Sequence, residues 1–356
     1  LINFILKNIF KGLVSLLGVA TLLFFLFNLL GDPSRMLLDQ REDQEQLQNI
    51  KIKYGLNLPI HQQYINYIND LSPISFHSTN INKYSYLPAS NQRITWLNTS
   101  NSIGVLKIPN LRNSFQKNDK KVSSILAETL PNTFLLASAA ITIALVFGLI
   151  LGIISALKVN SFLDKFIMVV STLGMSLPSF FSAIIFAWLF GFVLHSYTGL
   201  GMTGNIIEVD DFGEGTRIVW KNAVLPSIVL GIRPLAVIVQ LTRNSLLDVL
   251  NKDYIRTAKA KGLSTYAIIK NHALKNALNP VITTLSGWFA SLLAGAVFVE
   301  YIFNWNGLGK EIVNALNSSD LPVISGSILT IAAFFILLNI LVDICYSILD
   351  PSIELK

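Results

Sequence analysis

Five stretches of this chain contain no Asp, Glu, Lys or Arg at all: 12–31, 129–157, 166–207, 276–299 and 321–342. A sixth, 222–242, is interrupted only by Arg233. Each reaches the ~20 residues that an α-helix needs to cross a ~30 Å hydrocarbon core. The reading is an all-α membrane protein of six transmembrane helices. The first lies in 1–31, and the others span about 130–157, 166–194, 222–242, 277–299 and 322–345. A large extracytoplasmic loop separates the first two. Composition agrees, because 13% of the 356 residues are charged, against roughly 25% in soluble domains.

Several chemistries are excluded at once. Cys345 is the single cysteine, so neither an intrachain disulfide framework nor a thiolate metal site can form. His61, His77, His195 and His272 never stand at metal-ligand spacing, so no metal site is expected. No catalytic residue and no bound cofactor is expected either. The formal charge of +6 would suit nucleic acid in a soluble chain, but here basic residues mark loops that stay in the cytoplasm. The bilayer is the expected partner.

Loop charge sets the orientation. Segment 243–275 holds seven Lys or Arg against Asp248 and Asp253. Loop 196–221 carries Glu208, Asp210, Asp211 and Glu214 against Arg217 and Lys221, and loop 300–320 carries Glu300, Glu311 and Asp320 against Lys310. The basic loop therefore lies inside and the two acidic loops outside. Counting back puts both termini in the cytoplasm and 32–121 outside. That outer segment is exempt from the charge rule by its length. The first apolar run is longer than a signal-peptide core and no small-residue cleavage site follows it, so it reads as an uncleaved helix.

The outer segment divides in two. Residues 39–71 read as short amphipathic helices: Leu47, Ile50 and Tyr54 share a face, Gly55 and Pro59 break it, and Ile60, Tyr64, Tyr67 or Ile68, and Leu71 resume. Residues 72–120, with Pro73, Pro88 and Pro109 and no clear period, read as an irregular or weakly β-structured insertion. From 122 to 350 the chain reads as one transmembrane domain. Within it Pro178 sits mid-span and should kink or interrupt the third helix. Gly148 and Gly152, four apart, permit close helix contact. Arg233 lies near the middle of the fourth span, where an unpaired charge is expensive. It faces protein or water, either as a contact for anionic solute groups or as a partner for another helix. Arg233, Pro178 and Ser176 are the candidates for a translocation path. Asp343, nearer a span end, reads as snorkelling or capping.

The most informative stretch is Asp253-Tyr254-Ile255-Arg256-Thr257-Ala258-Lys259-Ala260-Lys261-Gly262-Leu263-Ser264, within the cytoplasmic loop 243–276. Residues 252–261 read as a helix ended by Gly262, whose freedom at positive φ suits a terminus. Ser264 can cap a second helix. Two helices joined by a tight turn make a rigid knob. Ala258 and Ala260 would allow close approach, with Arg256, Lys259 and Lys261 on the rim. On residues alone, an ordinary basic loop is an equal reading.

This segment resembles the EAA loop of ABC-importer permeases, with Ala258 and Gly262 on its Ala-x-x-x-Gly core. More narrowly it resembles the dipeptide/oligopeptide/nickel permeases, whose Asp-Tyr-(Ile/Val)-Arg-Thr-Ala-(Arg/Lys)-Ala-Lys-Gly-Leu text is met by 253–263, with 272–280 as its continuation. Gly31-Asp32-Pro33, Tyr54-Gly55-Leu56-Asn57, Thr129-Leu130-Pro131-Asn132-Thr133 and Leu349-Asp350-Pro351 also fit. Two departures stand out: 72–120 is longer than expected, and Asn306 stands where proline is common. The resemblance implies a type I ABC importer permease fold and the first of two permease subunits in a bacterial inner membrane. It also implies a second, homologous permease as heterodimer partner, two ABC ATPase subunits that carry ATP and Mg, and an extracytoplasmic substrate-binding protein. Residues 253–263 would be the ATPase-coupling contact. Di- or oligopeptides are the expected cargo, with nickel chelates or other small solutes as the alternative.

Two other classes fit less well. A secondary transporter predicts midplane acids and inverted repeats, and neither is evident. An intramembrane enzyme needs paired catalytic groups inside spans, which are absent. Gly307-Leu308-Gly309-Lys310-Glu311 imitates a phosphate loop, but Asn304 replaces its first glycine and Glu311 its Ser/Thr.

Overall fold

A computed structural model describes residues 2–29, 44–80, 83–86, 93–118, 120–209 and 215–349. Expectations placed on residues 31–33, 210, 211, 214, 350 and 351, and on the side chains of Leu47, Ile50, Asp343 and Cys345, lie outside the described residues. Two compact units emerge, Leu1–Glu128 with Asn314–Ala333, and Thr129–Val313 with Phe334–Lys356.

Among the described residues four helices are long and apolar enough to cross a membrane. They are α1 (Ile2–Leu29), α4 (Val122–Leu157), α7 (Lys221–Leu250) and α14 (Leu321–Leu349). At ~1.5 Å per residue α4 is about 54 Å long, well beyond the ~30 Å core. The third predicted span is not one straight helix. It divides into α5 (Phe162–Ser176) and α6 (Ser179–Phe186), the latter running into a π-helical stretch, Ala187–Val193. The two halves are bent by 108°. The cause is local: a proline ring disfavours the α conformation of the residue before it, and Leu177 is extended at φ −78°, ψ 133°. Pro226 and Pro234 remain inside α7. The fifth predicted span becomes α11 (Asn279–Gly295), 17 residues, followed by α12 (Val297–Ile302).

In the first unit, α2 (Gln44–Lys53) and α3 (Ile60–Leu71) precede an antiparallel sheet in the order β1–β3–β2. The strands are β1 (Ile74–Ser78), β2 (Arg93–Asn98) and β3 (Ser102–Lys107). The described residues of 72–120 thus include a three-stranded sheet. Ser75, His77, Ile103, Val105 and Lys107 are buried, whereas Ile74, Phe76, Ile94 and Trp96 are exposed. Such alternation is what a half-buried strand requires. Tyr64 and Tyr67 of α3 lie on Phe24 of α1, at ring distances of 5.3 and 5.6 Å. Asp70 gathers the loop after the sheet: Arg112 Nε donates to its carboxylate at 3.0 Å, and Lys107 Nζ to its carbonyl at 3.1 Å. The Arg112 guanidinium lies over Tyr67 and Tyr84, and burial pushes the Tyr84 phenol up to about 12. Asp320, just before α14, is buried and accepts from Ser114 Oγ and from the amides of Phe115 and Gln116.

The second unit is organised by α4 and α7. Ala140, Ala144, Gly148, Gly152 and Ala156 recur every four residues along α4 and are all buried. Four-residue spacing keeps them on one helix face, and small residues there let backbones approach. A Cβ on Gly148 would meet Ile238 Cγ2 at 2.7 Å, and one on Gly152 would meet Thr242 Cβ at 2.6 Å and the Val239 carbonyl at 2.9 Å. At Gly231 of α7 the intruder would be the Ala140 carbonyl, at 2.8 Å. Gly152→Val should therefore destabilise the purified protein by about 1–3 kcal/mol through overpacking, read as a lower unfolding temperature in detergent. Gly287→Val, at a site with nothing within 4 Å, should leave that temperature unchanged.

Candidate functional site

After α7 the chain turns at Asn251 and Lys252 into α8 (Asp253–Ala260). Lys261 closes that helix, and Gly262 follows at φ +77°. Glycine, without a Cβ, takes this conformation at the least cost. The amides of Gly262 and Leu263 return to the carbonyls of Lys259 and Ala258, so the turn satisfies helix-end carbonyls that would otherwise be orphaned. Ser264 then caps α9 (Thr265–Ile268), its hydroxyl accepting from the Ala267 amide at 3.3 Å. A π-helical stretch, Ile269–Ala273, leads into α10 (Leu274–Ala277).

The knob has its own core. Ile255, Ala258, Ile268, Ala273 and Ala277 are buried together with Leu246 of α7 and Ala156 of α4. Ala258 thus faces inward, into the knob's own core. On a short amphipathic helix residues 255 and 258 share the inner face, whereas 254, 256, 257, 259 and 260 point out. The outer surface carries Asp253, Tyr254, Arg256, Thr257, Lys259, Ala260, Lys261, Gly262 and Leu263, all exposed. Three apolar or aromatic side chains stand out among these cations: Tyr254, Leu263 and Tyr266 are 42%, 41% and 72% exposed. Among the described residues Arg256 pairs only with Asp253, one turn away at 3.3 Å, an exposed contact of small energetic weight. Tyr254 accepts at its hydroxyl from Asn276 Nδ2 at 2.9 Å, tying the two ends of the loop. The result is a rigid, basic surface with apolar tips on a small alanine-rich core.

Arg233, Ser176 and Pro178 are all exposed on the second unit. Gly174 of α5 abuts Ile232, beside Arg233. Ser176 Oγ donates back to the Thr172 carbonyl at 2.9 Å, and Gln240 Nε2 approaches Met175 Sδ at 3.9 Å. The helix break and Arg233 therefore belong to neighbouring parts of the packed pair α5 and α7. Among the described residues no hydrogen bond or ion pair engages the Arg233 guanidinium.

Elsewhere the second unit explains two sequence features. Glu300 of α12 is buried, and its Oε2 accepts from the amides of Gly309 and Lys310, which open α13 (Leu308–Asn317). The glycine-rich stretch that imitates a phosphate loop thus holds a carboxylate of its own chain. Thr133 Oγ1 accepts from the Leu308 amide at 2.7 Å, and Asn132 Nδ2 donates to the Asn306 carbonyl at 2.8 Å. Asn306 uses the amide that a proline would lack, donating to Asn205 Oδ1. Among the described residues no group of three or more His, Cys, Asp or Glu could hold a metal ion.

The sequence matches the family described as binding-protein-dependent transport system inner membrane component over residues 148–355, and that family's N-terminal region over residues 1–83. It is 33% identical to the dipeptide transport system permease protein of Bacillus subtilis, covering 99% of this chain and 98% of that one. It is 32% identical to the di/tripeptide transport system permease protein of Pseudomonas aeruginosa, over 99% of each. To the glutathione transport system permease protein of Salmonella typhimurium it is 29% identical over the full length of both. Among solved structures, the MetNI methionine ABC transporter in an inward-facing conformation resembles 64% of this chain and 97% of its own, with TM-score 0.50 and 14% identity. The turn itself offers a direct check. Gly262→Val should strain the positive-φ position and speed limited proteolysis at 260–265, whereas Gly262→Asn, which tolerates that region, should leave the cleavage rate close to that of the parent.

Proposed function

The chain belongs to the family of binding-protein-dependent transport system inner membrane components, and from that premise we propose that it is the permease subunit of an ATP-driven importer of di- or oligopeptides. It is a transport subunit and not an enzyme, and ATP hydrolysis lies on partner subunits. The cargo follows from relatives that carry dipeptides, di/tripeptides and glutathione by name. In this reading six segments cross the inner membrane, the bent α5–α6 pair and α11 supplying the two that are not single long helices. Both termini are cytoplasmic and the sheet-bearing segment is outside.

The observation that carries the reading is the knob at 253–263. Its inner face is filled by its own core, and its outer face presents Tyr254 and Leu263 among Arg256, Lys259 and Lys261. We assign this face to a groove on an ATPase subunit. One such subunit would dock here and a second on a homologous permease partner, with ATP and Mg bound between the ATPases. A substrate-binding protein would deliver cargo from outside. Docking changes work only if the two conformational states bind differently. A knob with a packed interior passes a push to α7 without absorbing it.

Arg233, Ser176 and Pro178 form the proposed path face. An unpaired guanidinium in mid-helix is tolerable where it meets water or a polar cargo, and it would receive a peptide carboxylate. Arg233→Gln should lower peptide uptake at least tenfold while recovery of the assembled complex changes less than twofold. Loss of assembly in step with uptake would instead mark Arg233 as a structural partner.

The docking face is tested by tagging this chain in its host and solubilising gently. ATPase subunits and a second permease should copurify with ATP hydrolysis. Leu263→Asp, on the exposed face, should cut recovery of the ATPase about tenfold without altering membrane insertion. A chain that purifies alone and still moves peptide without ATP would overturn the reading.

A further inference from the structure

Asp164 lies outside every motif that marks this family in the sequence, yet it is one of the most fully engaged carboxylates in the second unit. It stands in the first turn of α5, where Ser161 caps the helix by accepting from the Asp164 amide at 3.2 Å. Its residue exposure is 2%. Arg243 of α7 forks onto it, Nε to Oδ1 at 2.7 Å and Nη2 to Oδ2 at 2.8 Å. Ser155 Oγ, near the end of α4, donates to Oδ1 as well. The Asn160 amide donates to Oδ2 at 2.8 Å from a residue held at φ +64°. Four donors from α4, α7 and the turn between α4 and α5 thus converge on one carboxylate. A bidentate guanidinium pair fixes direction as well as distance.

The place of this cluster matters. Arg243 lies three residues before Leu246, which is packed with Ile255 and Ala258 of the knob and Ala156 of α4. Ser155 is the neighbour of that same Ala156. At its other end, α5 terminates at Ser176, where the chain breaks before Pro178, and Gly174 there touches Ile232. A rigid connection therefore runs from the knob through Leu246 and Arg243 to Asp164, and along α5 to the break. Packed elements with a saturated hydrogen-bond junction shift as a block, not by local deformation.

We infer that Asp164 is a positioning residue for energy coupling, joining the start of α5 to α7 so that movement of the knob reaches the helix break at 177–178. The inference rests on the reading of 253–263 as an ATPase-docking surface. Nothing in it requires Asp164 to touch cargo or nucleotide.

The test uses the complete complex in proteoliposomes, with peptide uptake and ATP hydrolysis measured on the same preparation. Asp164→Asn keeps the shape but removes the charge that accepts all four donors. Its uptake should fall at least tenfold while ATP hydrolysis stays within twofold, so peptide carried per ATP drops. Arg243→Lys, which cannot fork onto both oxygens, should fall between the parent and Asp164→Asn. Should Asp164→Asn fail to assemble, Ser155→Ala decides, because it leaves the ion pair in place and should still lower peptide per ATP two- to fivefold. Unchanged peptide per ATP in the variants that assemble overturns the inference. So does a parallel fall of uptake and hydrolysis that follows the amount of assembled complex, since that is what a merely structural residue gives. Failure of the docking reading shows separately, as a parent complex that retains no ATPase.

Discussion

The contact between α4 and α7 is the constraint on which the second unit depends. In lipid the helices gain nothing from hiding apolar surface, so van der Waals fit must hold them together. The stripe Ala140, Ala144, Gly148, Gly152 and Ala156 supplies that fit by removing side chains where α7 needs to approach. The same stripe sets everything mounted on the pair. Ala156, its last member, is already part of the knob's core, and Ser155 beside it belongs to the Asp164 junction. A bulkier α4 face would move α7 outward and carry the loop with it.

Against that close-packed pair, the places where the backbone leaves the helix are few and each has a chemical cause. Pro178 forces Leu177 out of the α region and turns α5 away from α6. Pro234, in contrast, stays within α7 and is itself buried there. Gly262 reverses the chain at positive φ, and Ser264 restarts it by capping α9. A broken helix at membrane depth is tolerated where protein or water can satisfy its freed groups. The exposed Ser176 and Pro178 stand at such a break, and Ser176 has turned its own hydroxyl back onto the Thr172 carbonyl.

The long apolar helices and the turn chemistry were legible because they depend on neighbours in sequence. Charge-free runs, a glycine after a helix and a serine before one are local signals, and 253–264 carries the last two in twelve residues. The sheet in 72–120 was hidden by its own construction. Gly104 lies flat under Trp96, and a bulge between Thr95 and Leu97 shifts the alternation by one residue. The inward turn of Ala258 was missed because a small residue reads equally as a docking surface or as core. Only the company of Ile255 and Leu246 decides between them. Asp164 was missed for a different reason: its partner Arg243 is 79 residues away, and each sits among other charged residues between apolar runs. Pairing across that distance leaves no periodic trace.

The glycine-rich loop at 307–310 shows how little separates a ligand site from a structural knot. Backbone amides at a helix start offer donors and a favourable dipole to any anion. Here Glu300 occupies that position from within, and Gly307 and Gly309 leave room for its carboxylate, with no space for a Cβ at either. The chemistry that would cradle a phosphate is thus spent on holding α13 to α12. Thr133 and Asn132 of α4 take up the neighbouring groups at Leu308 and Asn306. Trp305 completes the closure, its indole N–H donating to the Asn132 carbonyl at 3.1 Å while its ring is fully buried. Asn306 then replaces a rigid proline with two hydrogen bonds, one from its amide to Asn205 and one accepted from Lys310. The unit is therefore pinned at opposite ends of α4 by buried carboxylates, Glu300 beside its beginning and Asp164 beside its end. Between them the helix faces are held by fit alone. Small-residue packing fills the stretch between these polar locks, and Arg233 and the break at Pro178 lie along it.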